Sequence, residues 1–388
     1  MTTGTASFNL SREMLIAACA PDVEVAGRSW AAITNEFDSP GRLFTAVNRH
    51  PSSRLLPLLH GRIAELGIDQ PVGQFLNGCL VESWGFNLRL FEQAVPVIAK
   101  LTEVGVEVTC IKGFALLGDA YPRHELRTMG DVDIVVRERE MRRSRRILEG
   151  MGWGLDTPRW PSTTVQNWAY VHGSHSYPFS IHGSYVIDLH WRGARELTVD
   201  PGRLWEKTVP LSPNHPYASL PVRRPDDEWM VLILAMHAIQ ARNSNLVHPF
   251  ADIASFLGLT SSSSSRRSID WDRLARIASN ELVSIRVDRV LGNLYSMLEI
   301  PEGKPPSLTS MVRQRNQRRE HRATRADMRQ NVDYTGSKAR RLLVQLIQGT
   351  RAETPGLGPL RTARVFAARS MIAMENIVLR RRQREFDR

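Results

Sequence analysis

Two acidic residues at alternate positions in one short apolar run, and a third alone in another, constrain this chain most. The first run is Gly130-Asp131-Val132-Asp133-Ile134-Val135-Val136. The second is Tyr185-Val186-Ile187-Asp188-Leu189-His190-Trp191. Both are short and rich in β-branched or aromatic residues, which favours strands. Positions i and i+2 of a strand share a face. Asp131 and Asp133 are therefore expected to project together, with Val132 and Ile134 turned to the core. A second strand laid beside the first adds Asp188. Converging carboxylates repel one another, and a divalent cation is the usual neutraliser. The bland alternatives are an exposed acidic strand end for the pair and a salt bridge to an arginine for Asp188. An unpaired charge among Val186, Ile187, Leu189 and Trp191 would be costly.

Other residues extend the pattern. Ile111-Lys112-Gly113-Phe114 follows a β-branched stretch, Val106 to Ile111. A glycine there lets the backbone approach a phosphate, and a helix N-terminus offers free N–H groups to an anion. Arg127, four residues before Asp131, reads either as a bidentate phosphate clamp or as a partner for the acidic cluster. His190 shares a face with Asp188 and could orient an acceptor or serve as a core histidine. Arg192 is a further candidate for phosphate or acceptor contact. His237 reads as a core histidine rather than a ligand, and Asp252 reads equally as a helix cap or as a site residue.

Lys112-Gly113, Tyr121-Pro122, Arg127, Asp131-x-Asp133 and Asp188-Leu189-His190-Trp191, in that order, resemble the nucleotidyltransferase superfamily typified by DNA polymerase β. More closely, they resemble its uncharacterised bacterial nucleotidyltransferase family. The resemblance runs from about residue 70 to about residue 300 and more weakly beyond. It implies two Mg²⁺ ions held by Asp131, Asp133 and Asp188, with NTP as co-substrate, ATP among the candidates. It also implies phosphate screening by Lys112, Gly113 and Arg127, and transfer of a nucleoside monophosphate to an acceptor hydroxyl on a small molecule or peptide. Phe114 departs from the pattern, because serine is usual there. That departure keeps open a non-catalytic nucleotide-binding protein. An enzyme acting on tRNA or a protein, as toxin-like relatives would, is the other alternative.

The net charge of +11 is uneven. Residues 301–388 hold 20 Lys and Arg against 8 Asp and Glu, so the excess lies there and the rest is near neutral. A basic segment with few aromatics, Arg313 to Arg341, reads as a solvated helix or as a footprint for RNA or an acidic peptide. No apolar run approaches the roughly 20 residues of a membrane span. The start of the chain lacks the pattern of a secretory signal. Cys19, Cys79 and Cys110 are isolated and fit reduced thiols, so a cytoplasmic location is expected.

The expected fold is α+β: a small mixed sheet carrying the aspartates, flanked by helices. Residues 1–100 read as an N-terminal helical region, 101–225 as the catalytic core, 226–300 as a helical domain and 301–388 as a basic C-terminal helical region. The apolar spacing from Gln70 to Glu103 predicts a helix kinked or interrupted near Pro96. A second helix is expected over Gly113 to Ala120. A third should start at Pro225-Asp226-Asp227-Glu228, where acidic side chains favour the positive end of the dipole.

Overall fold

The computed structural model describes residues 9–155, 175–194, 197, 203–241, 247–260, 266–281, 283–300, 305–311 and 367. The arginine-rich segment 313–341 and nearly all of the basic C-terminal region lie outside these residues, as do 156–174 and the serine run 261–265.

The fold is α+β. Among the described residues one mixed sheet has seven strands: β1 (Val108–Cys110), β2 (Val132–Val136), β3 (Gly154–Leu155), β4 (Ser176–Ile181), β5 (Tyr185–His190), β6 (Thr208–Pro210) and β7 (Arg223–Pro225). Their spatial order is β3-β4-β5-β2-β1-β7-β6. β4 and β5 form an antiparallel hairpin, and β1 pairs antiparallel with β2. β2 and β5 run parallel at the centre, with Asp133 opposite Asp188 and Val135 opposite His190. Every residue of β2 is buried, as expected of a central strand covered on both faces.

A 32-residue helix, Val72–Glu103, packs against this sheet. It buries Leu76, Leu80, Ser83, Asn87, Leu90, Phe91, Ala94, Val97, Ile98 and Leu101, a stripe at three- and four-residue spacing. Pro96 lies inside it and does not end it, so the interruption, one of the two outcomes expected from sequence, does not occur. The flanking stripe residues Val97, Ile98 and Leu101 are fully buried, so packing outweighs the lost hydrogen bond.

Helices Leu10–Cys19, Val23–Glu36, Pro40–Asn48 and Leu56–His60 precede the long helix. Three of these elements start with the residue types that suit helix ends. Asn9, Asp22 and Ser39 each accept a backbone N–H of the first turn. On the other side Asp227–Ala241, His248–Phe256, Trp271–Asn280 and Ser284–Met297 form a helical layer. Asp226 accepts the Trp229 N–H at 3.2 Å and so caps the first of these, one residue later than the sequence suggested. Helix Leu10–Cys19 packs directly on His248–Phe256, so the N-terminal helices reach the second helical layer.

The expected helix over Gly113 to Ala120 is only one turn, Lys112–Ala115. Gly118, at φ +70°, turns the chain, and its N–H donates to the Tyr121 carbonyl at 2.8 Å. A Cβ at Gly118 would stand 2.2 Å from the Asn214 carbonyl oxygen, so the next loop packs where a helix would continue. No helix among the described residues is long and apolar enough to cross a membrane.

Candidate active site

The register of β2 and β5 determines the site. Pairing Asp133 with Asp188 brings two carboxylates together from strands far apart in sequence. His190, two residues after Asp188, shares its face. Its Nε2 lies 2.9 Å from Asp133 Oδ1 and 3.1 Å from Asp188 Oδ2. Ionised carboxylates only accept hydrogen bonds, so Nε2 carries the proton and donates. Lys112 Nζ donates to the same Asp133 oxygen at 2.5 Å.

Burial alone would neutralise these groups, and their charges reverse that outcome. Desolvation opposes ionisation of Asp133, but the Lys112 ammonium and His190 hydrogen bond hold its carboxyl far below the usual range. Burial disfavours a charged His190, yet Asp188 and the hydrogen bonds to both aspartates lift it to about 8. Burial lowers and Asp133, Asp188 and Asp131 raise the Lys112 ammonium, with a net rise. Asp131 goes the other way. Burial, then the Asp133 charge, push its carboxyl above the ordinary value. Lys112 itself sits at φ +51°, a conformation that non-glycine residues rarely adopt and that surrounding structure must impose.

Asp133, Asp188 and His190 each offer a ligand atom within 4.8 Å of the others. Asp131 stands outside this trio, half-buried just before β2, although the charges of Asp133 and Asp188 both act on it. The donor set suits a divalent cation. Asp188 Oδ1 is buried without a hydrogen-bond partner, which leaves carboxylate lone pairs unused in a dry setting. Lys112 and His190 offset two of the three carboxylate charges, so the site retains negative charge.

Arg127 is held elsewhere. Its Nε and Nη2 donate to the two oxygens of Asp252, each at 2.8 Å, and Nη1 lies 2.8 Å from Met129 Sδ. Tyr121 adds its hydroxyl to Asp252 Oδ1 at 2.9 Å. All three side chains are buried. Of the two sequence readings of Arg127, the structure displays an ion pair, with Asp252 as the partner rather than the metal-site aspartates. Gly113 serves this pair: a Cβ there would fall 2.1 Å from Arg127 Nη1. The glycine thus makes room for a guanidinium that the bidentate pair prevents from moving. Phe114, in the serine position, is fully buried against Phe91, His215 and Tyr217, and it presents no hydroxyl.

Sequence reading missed three residues here. Asn87, polar within the apolar stripe of the long helix, donates to the His124 and Arg127 carbonyls and accepts the Met129 N–H, fixing the loop before Asp131. Its fully buried position in that stripe was the available signal. Asp252 read equally as a cap or a site residue, and its partner, 125 residues away, was not legible. His248 and Arg54 carried no local pattern. His248 and His237 meet edge to face at 5.8 Å, and the Nδ1 of each is buried without a hydrogen-bond partner.

Burial pushes His237 down to about 4 and His248 to about 3, from an ordinary 6.5. Unfolded histidines take a proton below 6.5 while the native ones stay neutral until far lower pH. Stability is therefore complete above pH 6.5 and falls as pH drops toward 3–4, by about 1.4 kcal/mol per unit for each group. His248→Gln is expected to flatten this acid limb in chemical-denaturation curves taken from pH 7 to 4.5. An unchanged slope would refute the burial of a neutral His248.

A sequence model of one protein family, described as an uncharacterised nucleotidyltransferase, matches residues 40–325. No curated protein and no solved structure matches the chain. The match spans Lys112, Gly113, Arg127, the three aspartates, His190 and Asp252.

Proposed function

The chain belongs to the uncharacterised nucleotidyltransferase family, and from that premise we propose that it transfers a nucleoside monophosphate from an NTP to an acceptor hydroxyl on a small molecule or peptide. The acceptor oxygen bonds to the α-phosphorus, the bond to the β-phosphate oxygen breaks, and pyrophosphate leaves. The observation that supports this best is the Asp133–Asp188 register, with Asp188 Oδ1 buried and unpartnered at the meeting point.

Asp133, Asp188 and Asp131 would hold Mg²⁺, which when bound supplies charge neutralisation of the phosphates and a more acidic acceptor hydroxyl. The chain's own groups have distinct tasks. Asp133 stays ionised because Lys112 and His190 stabilise its negative charge. Asp188, less enclosed and with a free oxygen, accepts the acceptor's proton. His190 keeps the two carboxylates at a fixed separation through a single N–H. The Arg127–Asp252 pair and Asn87 anchor the loop that delivers Asp131.

Two labels on one NTP test the reading. With Mg²⁺ and a cellular small-molecule or peptide fraction, an α-³²P label should enter product while a γ-³²P label leaves as pyrophosphate. Entry of the γ label instead would mean phosphoryl transfer and would refute nucleotidyl transfer.

A further inference from the structure

Lys112 and Arg127 spend their charge on Asp133 and Asp252, so the cations expected to meet a phosphate are already paired. Among the described residues, the buried or half-buried arginines Arg62, Arg224 and Arg267 are also paired with carboxylates. Arg62 donates to two backbone carbonyls and to Glu65; Arg224 and Arg267 share Asp119 and Asp227. Arg54 is the exception. It is half-buried, yet its guanidinium makes no hydrogen bond or close ion pair with any described residue, although the Asp131 and Asp252 charges act on it.

Its position is specific. Arg54 lies on the short 3₁₀ turn Pro51–Leu55, and its Nη2 would stand 2.7 Å from a Cβ placed on Gly130. The guanidinium thus rests against the residue immediately before Asp131. It opens into a cavity of about 350 Å³ between this turn, the long helix and the loop 128–130. Ser83, Arg89 and Thr128 also line that cavity, with Glu82 as its acidic lining residue. Ser83 is 3% exposed, and its Oγ is buried without a hydrogen-bond partner. An unpaired guanidinium, an unsatisfied buried hydroxyl and an exposed second arginine converge on one hollow beside the acidic site, with Leu56, Pro57, Phe86 and Met129 as its apolar walls.

We propose that this cavity is a phosphate subsite, in which Arg54 and Ser83 bind a phosphate group of a ligand handled at Asp131, Asp133 and Asp188. The forked guanidinium matches two phosphate oxygens, and its partial burial strengthens the interaction. The hydroxyl supplies a further donor. Glycine at 130 is needed so that the guanidinium can lie alongside the start of β2. The phosphate belongs either to the triphosphate tail of the NTP or to a phosphorylated acceptor. The inference rests on the transfer reading only for the ligand's identity; binding of phosphate at Arg54 is independent of it.

The test is calorimetric titration of the full chain with inorganic tripolyphosphate, without Mg²⁺ and at low ionic strength. Wild type should bind. Arg54→Gln should weaken binding at least about tenfold, Arg54→Lys should restore part of it, and Ser83→Ala should weaken it less. Gly130→Ala, which keeps the charge but displaces the guanidinium, should weaken it too and serves if Arg54→Gln folds poorly. Displacement of tripolyphosphate by Mg·ATP identifies the nucleotide tail as the source, and simultaneous binding identifies the acceptor. No binding by wild type, or equal binding by Arg54→Gln and Gly130→Ala, would overturn the proposal. Arg54-dependent tripolyphosphate binding in a chain that shows no Mg²⁺-dependent NTP binding would instead overturn the transfer reading and leave the subsite standing.

Discussion

Asp252→Asn is expected to destabilise the fold by about 3–5 kcal/mol, the range for breaking a buried ion pair by removing one partner. Asp252 is 1% exposed and takes three hydrogen bonds, two from Arg127 and one from Tyr121. Asparagine keeps one acceptor oxygen and sets an N–H₂ against an arginine N–H. The Arg127 charge is then buried without a counter-ion. The guanidinium occupies the space beside Gly113, where a Cβ would fall 2.1 Å from Nη1. Urea unfolding reads the loss directly. The double variant Arg127→Met/Asp252→Leu removes both charges and should cost less than Asp252→Asn alone, because no desolvated charge remains. A wild-type midpoint for Asp252→Asn would show that the pair does not hold the loop before Asp131.

The second large effect belongs to Asp133→Asn, which separates chemistry from stability. Transfer should fall on the order of 10³-fold or more, a barrier increase of several kcal/mol, because the residue anchors the carboxylate cluster. Stability should fall as well. Lys112 is 12% exposed at its side chain and would lose its closest counter-charge, with Asp188 and Asp131 as the remaining carboxylates. Adding Lys112→Met should recover stability without recovering transfer. Recovery of both would mean that Asp133 serves only to neutralise the lysine. The two arms are read by denaturation and by α-label incorporation on the same preparations.

The strands were legible because their residues obey a period of two within short apolar runs. β2 and β5 appear within a residue of the runs that contain Asp131, Asp133 and Asp188. Their adjacency was legible only as a condition, since parallel pairing is set by long-range packing. The registry then sharpened the site: Asp133 faces Asp188, His190 joins both, and Asp131 stays at the strand's entrance. The loop after β1 was legible only in part, for a physical reason. Gly113 signals close approach of something to the backbone, and sequence alone does not distinguish a phosphate from a guanidinium. Here the neighbour is Arg127. Helix length over Gly113 to Ala120 was overestimated because Gly118 and the packing of Asn214 are tertiary facts. Arg54 and Asp252 sit about 75 and 120 residues from the aspartate pair, on elements brought in by the helical layers; no local pattern identifies Arg54, and none ties Asp252 to Arg127. The same helical layers place helix Leu10–Cys19 against His248–Phe256, a contact for which the sequence offered no period or spacing.

The measurement that tests the central claim most directly is calorimetric titration with each of the four NTPs, in Mg²⁺ and in EDTA, on wild type and Asp188→Asn. Asp188 suits this comparison because it carries the unpartnered buried oxygen and is not Lys112's hydrogen-bond partner, so its loss disturbs the fold least. The expected result is binding of at least one NTP that requires Mg²⁺ in wild type and is lost in Asp188→Asn. Absence of NTP binding by wild type, or binding indifferent to both Mg²⁺ and the substitution, would contradict the claim that the paired strands β2 and β5 build a metal-dependent nucleotide site.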